Sequence, residues 1–120
     1  MVTESDVRRA ALNLPGAYEK ASYGGSPSWR TKPRVFARLR DEDDALVLWV
    51  ETEEEKEALV TSDPEKFFTT NHYDGYSVVL VRMTAIDVPE LAELIEESWR
   101  HRAPRSLTSK KISKRAPDQL

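Results

Sequence analysis

The sequence predicts an α+β domain: an antiparallel sheet of about five strands, with helices at the N-terminus, in the middle and at the C-terminus. Three observations predict it. Val35, Ala37 and Leu39 alternate with Arg34, Phe36, Arg38 and Arg40, and the acidic run 41–44 joins them to a second alternating stretch, 45–51, as in a hairpin. Residues 77–81, Ser-Val-Val-Leu-Val, form a short β-branched run bounded by Asp74-Gly75, which reads as a buried central strand. Apolar residues at helical spacing flank this β-rich middle at both ends.

Taken in order, Thr3 or Ser5 caps a first helix, with Glu4 and Asp6 near its positive end. Val7, Ala10, Ala11 and Leu14 form its apolar stripe, and Pro15-Gly16 stops it. A short strand is expected over 18–23, then a turn at Gly24-Gly25-Ser26-Pro27. That turn lacks the remaining glycines and the strand-to-helix setting of a phosphate-binding loop. Strands over 28–31 and 34–40 are separated at Lys32-Pro33, and the strand over 45–51 follows. Residues 52–55, Thr-Glu-Glu-Glu, cap and start a second helix carrying Ala58, Leu59 and Val60. Ser62-Asp63-Pro64-Glu65 reads as a cap with proline in the first turn of another short helix, ending at Phe67-Phe68 as core anchors. Asp87 caps the last helix with Pro89 in its first turn. Leu91, Leu94, Ile95, Ser98 and Trp99 form its buried stripe, and Ala103-Pro104 ends it.

A chain of 120 residues is expected to form one core. We divide it into a body, 1–105, and a basic C-terminal tail, 106–120. The absence of cysteine excludes disulfides, thiolate nucleophiles and cysteine metal sites, and fits a reducing cytoplasm. The N-terminal residues lack the apolar stretch of a signal peptide, and no apolar run nears the ~18 residues that span a bilayer, so no membrane role is expected. The net charge of −3 conceals an asymmetry. Residues 1–99 carry 11 Lys+Arg against 20 Asp+Glu, or −9; residues 100–120 carry 7 against one, or +6. An acidic body with a basic end points to contact with nucleic acid or another acidic surface, or to a solvated terminus.

Several segments carry a family resemblance. ALNLPGAYEKASYGGSPSWR (11–30), RVFARL (34–39), DPEKFF (63–68), TNHYDGYSVVLV (70–81) and ELIEESWRHRAPRSL (93–107) together resemble the MmcQ/YjbR family of small bacterial proteins, whose members are often described as DNA-binding. The resemblance implies the order α-β-β-β-α-β-β-α around an antiparallel sheet. It also marks Trp29, His72, Tyr73, Gly75 and Tyr76 as family-motif positions and a possible surface site. The chain departs from the pattern at Asn71, where the family has proline, at Arg34-Val35, where a lysine precedes the aromatic strand residue, and at Trp49, where lysine is common.

Three functions compete. For DNA, the cations are Arg34, Arg38 and Arg40 on one strand face, flanked by Arg30 and Lys32, and the C-terminal set Arg102, Arg105, Lys110, Lys111, Lys114 and Arg115. The competing reading of the strand set is that Arg38 and Arg40 pair with the acids at 41–44 or with glutamates across the sheet. A protein-interaction module would use Trp29, Tyr73 and Tyr76 as an exposed aromatic patch. Aromatic residues flanked by arginines favour nucleic acid over a protein partner. An enzyme would have only His72 to work with, since His101 lies among arginines at a helix end, where it complements the helix dipole. No catalytic residue, metal site or cofactor is expected. The sequence therefore favours a cytoplasmic, non-enzymatic protein that binds DNA weakly and mainly through phosphates.

Overall fold

Helix α1 spans Glu4–Leu12 and starts where expected: Thr3 accepts from the backbone N–H of Asp6, whose carboxylate accepts from the N–H of Thr3 in return. Four strands follow as an antiparallel meander: β1 Tyr18–Ala21, β2 Pro27–Arg30, β3 Val35–Arg40 and β4 Ala45–Trp49. Helix α2, Glu53–Ser62, is capped by Thr52. Strands β5, Phe67–Phe68, and β6, Val78–Arg82, come next, and α3, Val88–Arg102, closes the fold with Asp87 accepting from the N–H of Glu90. This computed structural model describes residues 1–22, 24–40 and 44–109.

The sheet has six strands in the order β1-β2-β3-β4-β6-β5, all antiparallel. The α+β class and the three helix positions agree with the sequence. The meander before α2 has four strands, one more than the family resemblance implies. The helix expected to end at Phe67-Phe68 is absent. The N–H groups of Lys66 and Phe67 both bond the Asp63 carbonyl in one turn, and then Phe67 and Phe68 pair with Val81 and Leu80. Ladder bonds to an interior strand outcompete the weak local helix signal of Pro64. Strand β6 lies inside the sheet as expected, buried over Val78–Val81.

The pairing register assigns each strand residue to a face, because directly opposed residues point the same way. One face, carrying Trp29, Ala37, Leu39, Leu46, Leu48, Phe67, Val79 and Val81, packs on Val7 and Ala11 of α1 and on Leu91, Ile95 and Trp99 of α3. The α3 stripe is as predicted: Leu91, Ile95, Ser98 and Trp99 are buried and Leu94 packs beside them.

The predicted alternation in β3 is interrupted. Trp29 opposes Ala37, yet the next residue, Arg30, opposes Val35, so Phe36 is an extra, bulged residue. The bulge turns Phe36 into the helix-side core beside Ala37, both at 0 % exposure, and leaves Val35 opposite Arg30. Beyond Ala37–Leu48 the β3–β4 ladder opens, and the Ser98 hydroxyl fills the gap. It donates to the carbonyl of Phe36 and accepts from the N–H of Trp49 at 2.9 Å. Residues 105–109 continue as a helical turn whose Leu107 packs on the core. Leu107 lies against Gly16, where a β-carbon would crowd its Cδ1, and the φ of +73° there favours glycine.

Candidate functional site

The second sheet face carries a different set of side chains. From β1 to β5 its strand residues are Tyr18, Lys20, Ser28, Arg30, Val35, Arg38, Arg40, Ala45, Val47, Trp49, Val78, Leu80, Arg82 and Phe68, with no carboxylate among them. The β4-β6-β5 half is covered by the segment between β5 and β6. Tyr73, only 7 % exposed, packs there on Ala45, Val47, Val78 and Leu80, with Trp49 and Phe68 at the margins. The second core cluster includes no residue of β1, β2 or β3.

Each arginine here has a defined seat. Arg38 donates to the Tyr73 hydroxyl, and Arg40 lies 5.7 Å from the centre of the same ring. Arg30 donates through Nε to the Ser28 hydroxyl at 3.2 Å. Arg82 covers the Phe68 ring at 4.2 Å. Arg102 comes from the end of α3, bonds the Val35 carbonyl at 2.9 Å and covers Trp49 at 4.8 Å. Burial, and then the nearby charge of Arg34, lower the Arg102 pKa, though a guanidinium stays charged at neutral pH. Among the described residues no carboxylate pairs with Lys20, Arg30, Arg34, Arg38, Arg82 or Arg102. Other cations are paired: Arg8 with Glu4 and Glu19, Arg9 with Asp6, Lys66 with Asp63 and Glu90, and Arg100 with Glu96.

The predicted site residues therefore divide. Arg30, Arg38 and Arg40 share the helix-free face. Lys32 and Arg34 sit in the β2–β3 turn, and Arg102 reaches this face around the open end of β3 and β4. Arg105 is exposed on the helical turn that follows α3. Lys110, Lys111, Lys114 and Arg115 lie outside the described residues, as do three of the acids at 41–44 that were weighed as partners for Arg38 and Arg40. Trp29 is no surface residue: its ring is fully buried and its indole N–H donates to Glu19 at 3.0 Å. Phe36 is likewise core rather than interleaved among the arginines. Tyr73 is a buried plug, and of the expected aromatic patch only Tyr76 is exposed, at 62 %.

His72 sits exposed in the short 3-10 turn Asn71–Tyr73, its ring edge-on to Tyr73 at 4.8 Å. Gly75, with φ +84°, makes the turn that follows. The loop is anchored from behind by Lys56, whose Nζ donates to the carbonyls of Tyr73 at 2.7 Å and Tyr76 at 3.0 Å. A cleft of about 500 Å³ lies between this loop and α2, with Glu53, Glu57 and Asp74 at its rim and Lys56 within. Its acidic rim disfavours anions. Among the described residues no three His, Asp or Glu side chains are grouped to hold a metal, and no helix is long and apolar enough to cross a membrane.

Sequence reasoning missed the places of Lys56, Arg82 and Lys20 and the stacking of Arg102 on Trp49. Arg82 and Lys20 were findable, since each falls on the alternate positions of its strand that share the face of Arg38. Lys56 was not, because its place in a Glu-rich helix start gives no sign of burial.

A family model described as YjbR matches residues 12–101. The chain is 36 % identical over 124 residues to the uncharacterized proteins Rv2570 of Mycobacterium tuberculosis and Mb2600 of Mycobacterium bovis, covering 89 % of this chain and 93 % of each relative. Among solved structures, the DUF419-domain protein DR2400 of Deinococcus radiodurans superposes with a TM-score of 0.70 at 23 % identity, covering 82 % of this chain and 77 % of that one. That likeness speaks to the fold alone.

Proposed function

The chain belongs to the YjbR family, and from that premise we propose that it is a cytoplasmic, non-enzymatic protein that binds DNA weakly, through phosphate contacts on the helix-free face of its sheet. One observation carries the reading. Lys20, Arg30, Arg38 and Arg82 share a face whose strands contribute no carboxylate, and Arg34 and Arg102 gather at its rim, although the body as a whole is acidic. Guanidinium groups that pair with no carboxylate among the described residues, seated on a rigid sheet, keep N–H donors for phosphate oxygens beyond the one each gives to a neighbour. Three of the aromatic rings at this face, Trp49, Phe68 and Tyr73, lie under arginines, which favours nucleic acid over a protein partner. Trp29 and Tyr73 are withdrawn from the patch on which a protein-binding module would rely.

The test is fluorescence anisotropy of labelled DNA at two salt concentrations, using the wild type and the Arg30→Ala/Arg34→Ala variant. Neither side chain belongs to a core cluster, so the variant is expected to fold. Binding to duplex is expected to weaken with salt at a log–log slope near −0.9 per neutralised phosphate, and the variant's slope to be shallower by about that much for each phosphate it leaves unneutralised. The proposal fails if no DNA binds even at low salt, or if the variant binds as the wild type does.

A further inference from the structure

Resting on that reading, we infer that the DNA this face takes is an unpaired strand, laid across β1 to β4 with bases stacked on Tyr18 and on the Trp49–Arg102 pair. The register places these groups in one row. Tyr18 opposes Arg30, Arg30 opposes Val35, and the Val35 carbonyl holds Arg102, which covers Trp49 on β4. The row reads aromatic, cation, aliphatic, cation, aromatic. Tyr18 is 39 % exposed on the edge strand, and its ring belongs to neither core cluster. Trp49 is half-buried, with its ring under a guanidinium that has no carboxylate partner among the described residues.

Spacing and shape favour a single strand over a duplex. Three strand-to-strand steps separate Tyr18 from Trp49, about 14 Å at the usual ~4.8 Å. That distance exceeds one nucleotide step and leaves room for phosphates over Arg30 and Arg34. A major groove admits a helix or a two-stranded ribbon. Here α1 and α3 lie on the opposite face, and the cations are spread over the broad middle of a sheet rather than on a ridge. Aromatic rings interleaved with cations on an open sheet form the kind of surface on which unpaired bases stack irrespective of sequence.

Tryptophan emission provides a direct readout, because Trp29 and Trp99 are fully buried and Trp49 alone of the three is partly exposed. The full chain is titrated with oligothymidine of about 12 nucleotides, with the matching duplex, and with oligouridine of equal length. The single strand is expected to bind at least several-fold more tightly than the duplex and to quench the emission. Tyr18→Ala is expected to weaken strand binding about tenfold, while Tyr18→Phe restores it and duplex binding stays unchanged. Oligouridine bound in the same Tyr18-dependent way supports the single-strand reading and extends it to RNA. Equal or tighter duplex binding, or a Tyr18→Ala variant that binds the strand like wild type, overturns the inference. If duplex binding then still depends on Arg30 and Arg34, the phosphate reading survives; if nothing binds, both fall.

Discussion

At the scale of single residues, two buried polar groups hold the site in shape. Ser98 satisfies the bulged carbonyl of Phe36 and the N–H of Trp49 at once, where the β3–β4 ladder has opened. Replacing it with alanine leaves a donor and an acceptor unpaired under α3. Ser98→Ala is therefore expected to lower stability by about 1–3 kcal/mol, read from the urea midpoint at unchanged slope. A midpoint within error of wild type would mean that the strands close without the hydroxyl. Lys56 plays the parallel role for the Tyr73 loop. Its ammonium, on a side chain only 8 % exposed, is met by two carbonyls. Lys56→Met keeps the aliphatic stem and frees the loop. Its expected signature is faster hydrogen exchange confined to residues 70–77, with the β1–β4 amides unchanged. Neither role is visible in the sequence, because a serine on a helix stripe and a lysine in an acidic run look the same whether bridged or solvated.

At the scale of elements, alternation predicted the strands well and the faces only in part. The meander, the caps at Thr3, Thr52 and Asp87, and the α3 stripe were all legible, since each depends on neighbours in sequence. The bulge at Phe36 was not, because it is set by how β2 registers on β3, and one extra residue reverses the side of everything before it. That single event moves Phe36 into the core and opens the seat that Arg102 fills. Strand β5 escaped notice for a similar reason: two residues carry no period, and only pairing with β6 defines them. The attachment of α1 to the sheet offers a pH test at this scale. Glu19 on β1 accepts from Arg8 of α1 at 2.6 Å and from the Trp29 indole of β2 at 3.0 Å. Its pKa is held below the ordinary 4.5, first by the bond from Arg8 and also by that from Trp29, against the opposing effect of burial. A lowered folded pKa means that this stabilisation is complete above the ordinary value and is lost as pH falls through the lowered one. Glu19→Gln removes the charge and keeps an acceptor for the indole. The stability gap between wild type and variant is thus expected to be widest near neutrality and to narrow steadily below about pH 4.5, measured by thermal unfolding. A gap constant with pH would show that the contact is worth the same with or without its charge.

At the scale of the whole molecule, charge is sorted in two ways. The sequence shows the first, an acidic body against a basic end. The fold adds the second: among the described residues Lys20, Arg30, Arg38 and Arg82, which face away from the helices, meet no carboxylate, while Arg8, Arg9, Lys66 and Arg100 are paired. Under the proposed DNA-binding function, these two basic regions are expected to have separable effects. Long-range attraction grows with every cation and is screened by salt, so the C-terminal residues Lys110, Lys111, Lys114 and Arg115 add affinity wherever they lie near the strand. Discrimination between paired and unpaired DNA needs rings held at fixed positions, which only the sheet supplies. A chain ending at Ser109 separates the two. It keeps Leu107 on Gly16, which a cut at Arg105 would remove, and it discards all four cations. This shortened chain is expected to bind oligothymidine more weakly, with its log–log salt slope reduced by about 0.7 for each phosphate that the tail had neutralised. It is expected to retain the preference for single strand over duplex and the tenfold effect of Tyr18→Ala. Were the preference to vanish with the tail, recognition would belong to the basic end, and the sheet face would act only as an electrostatic surface.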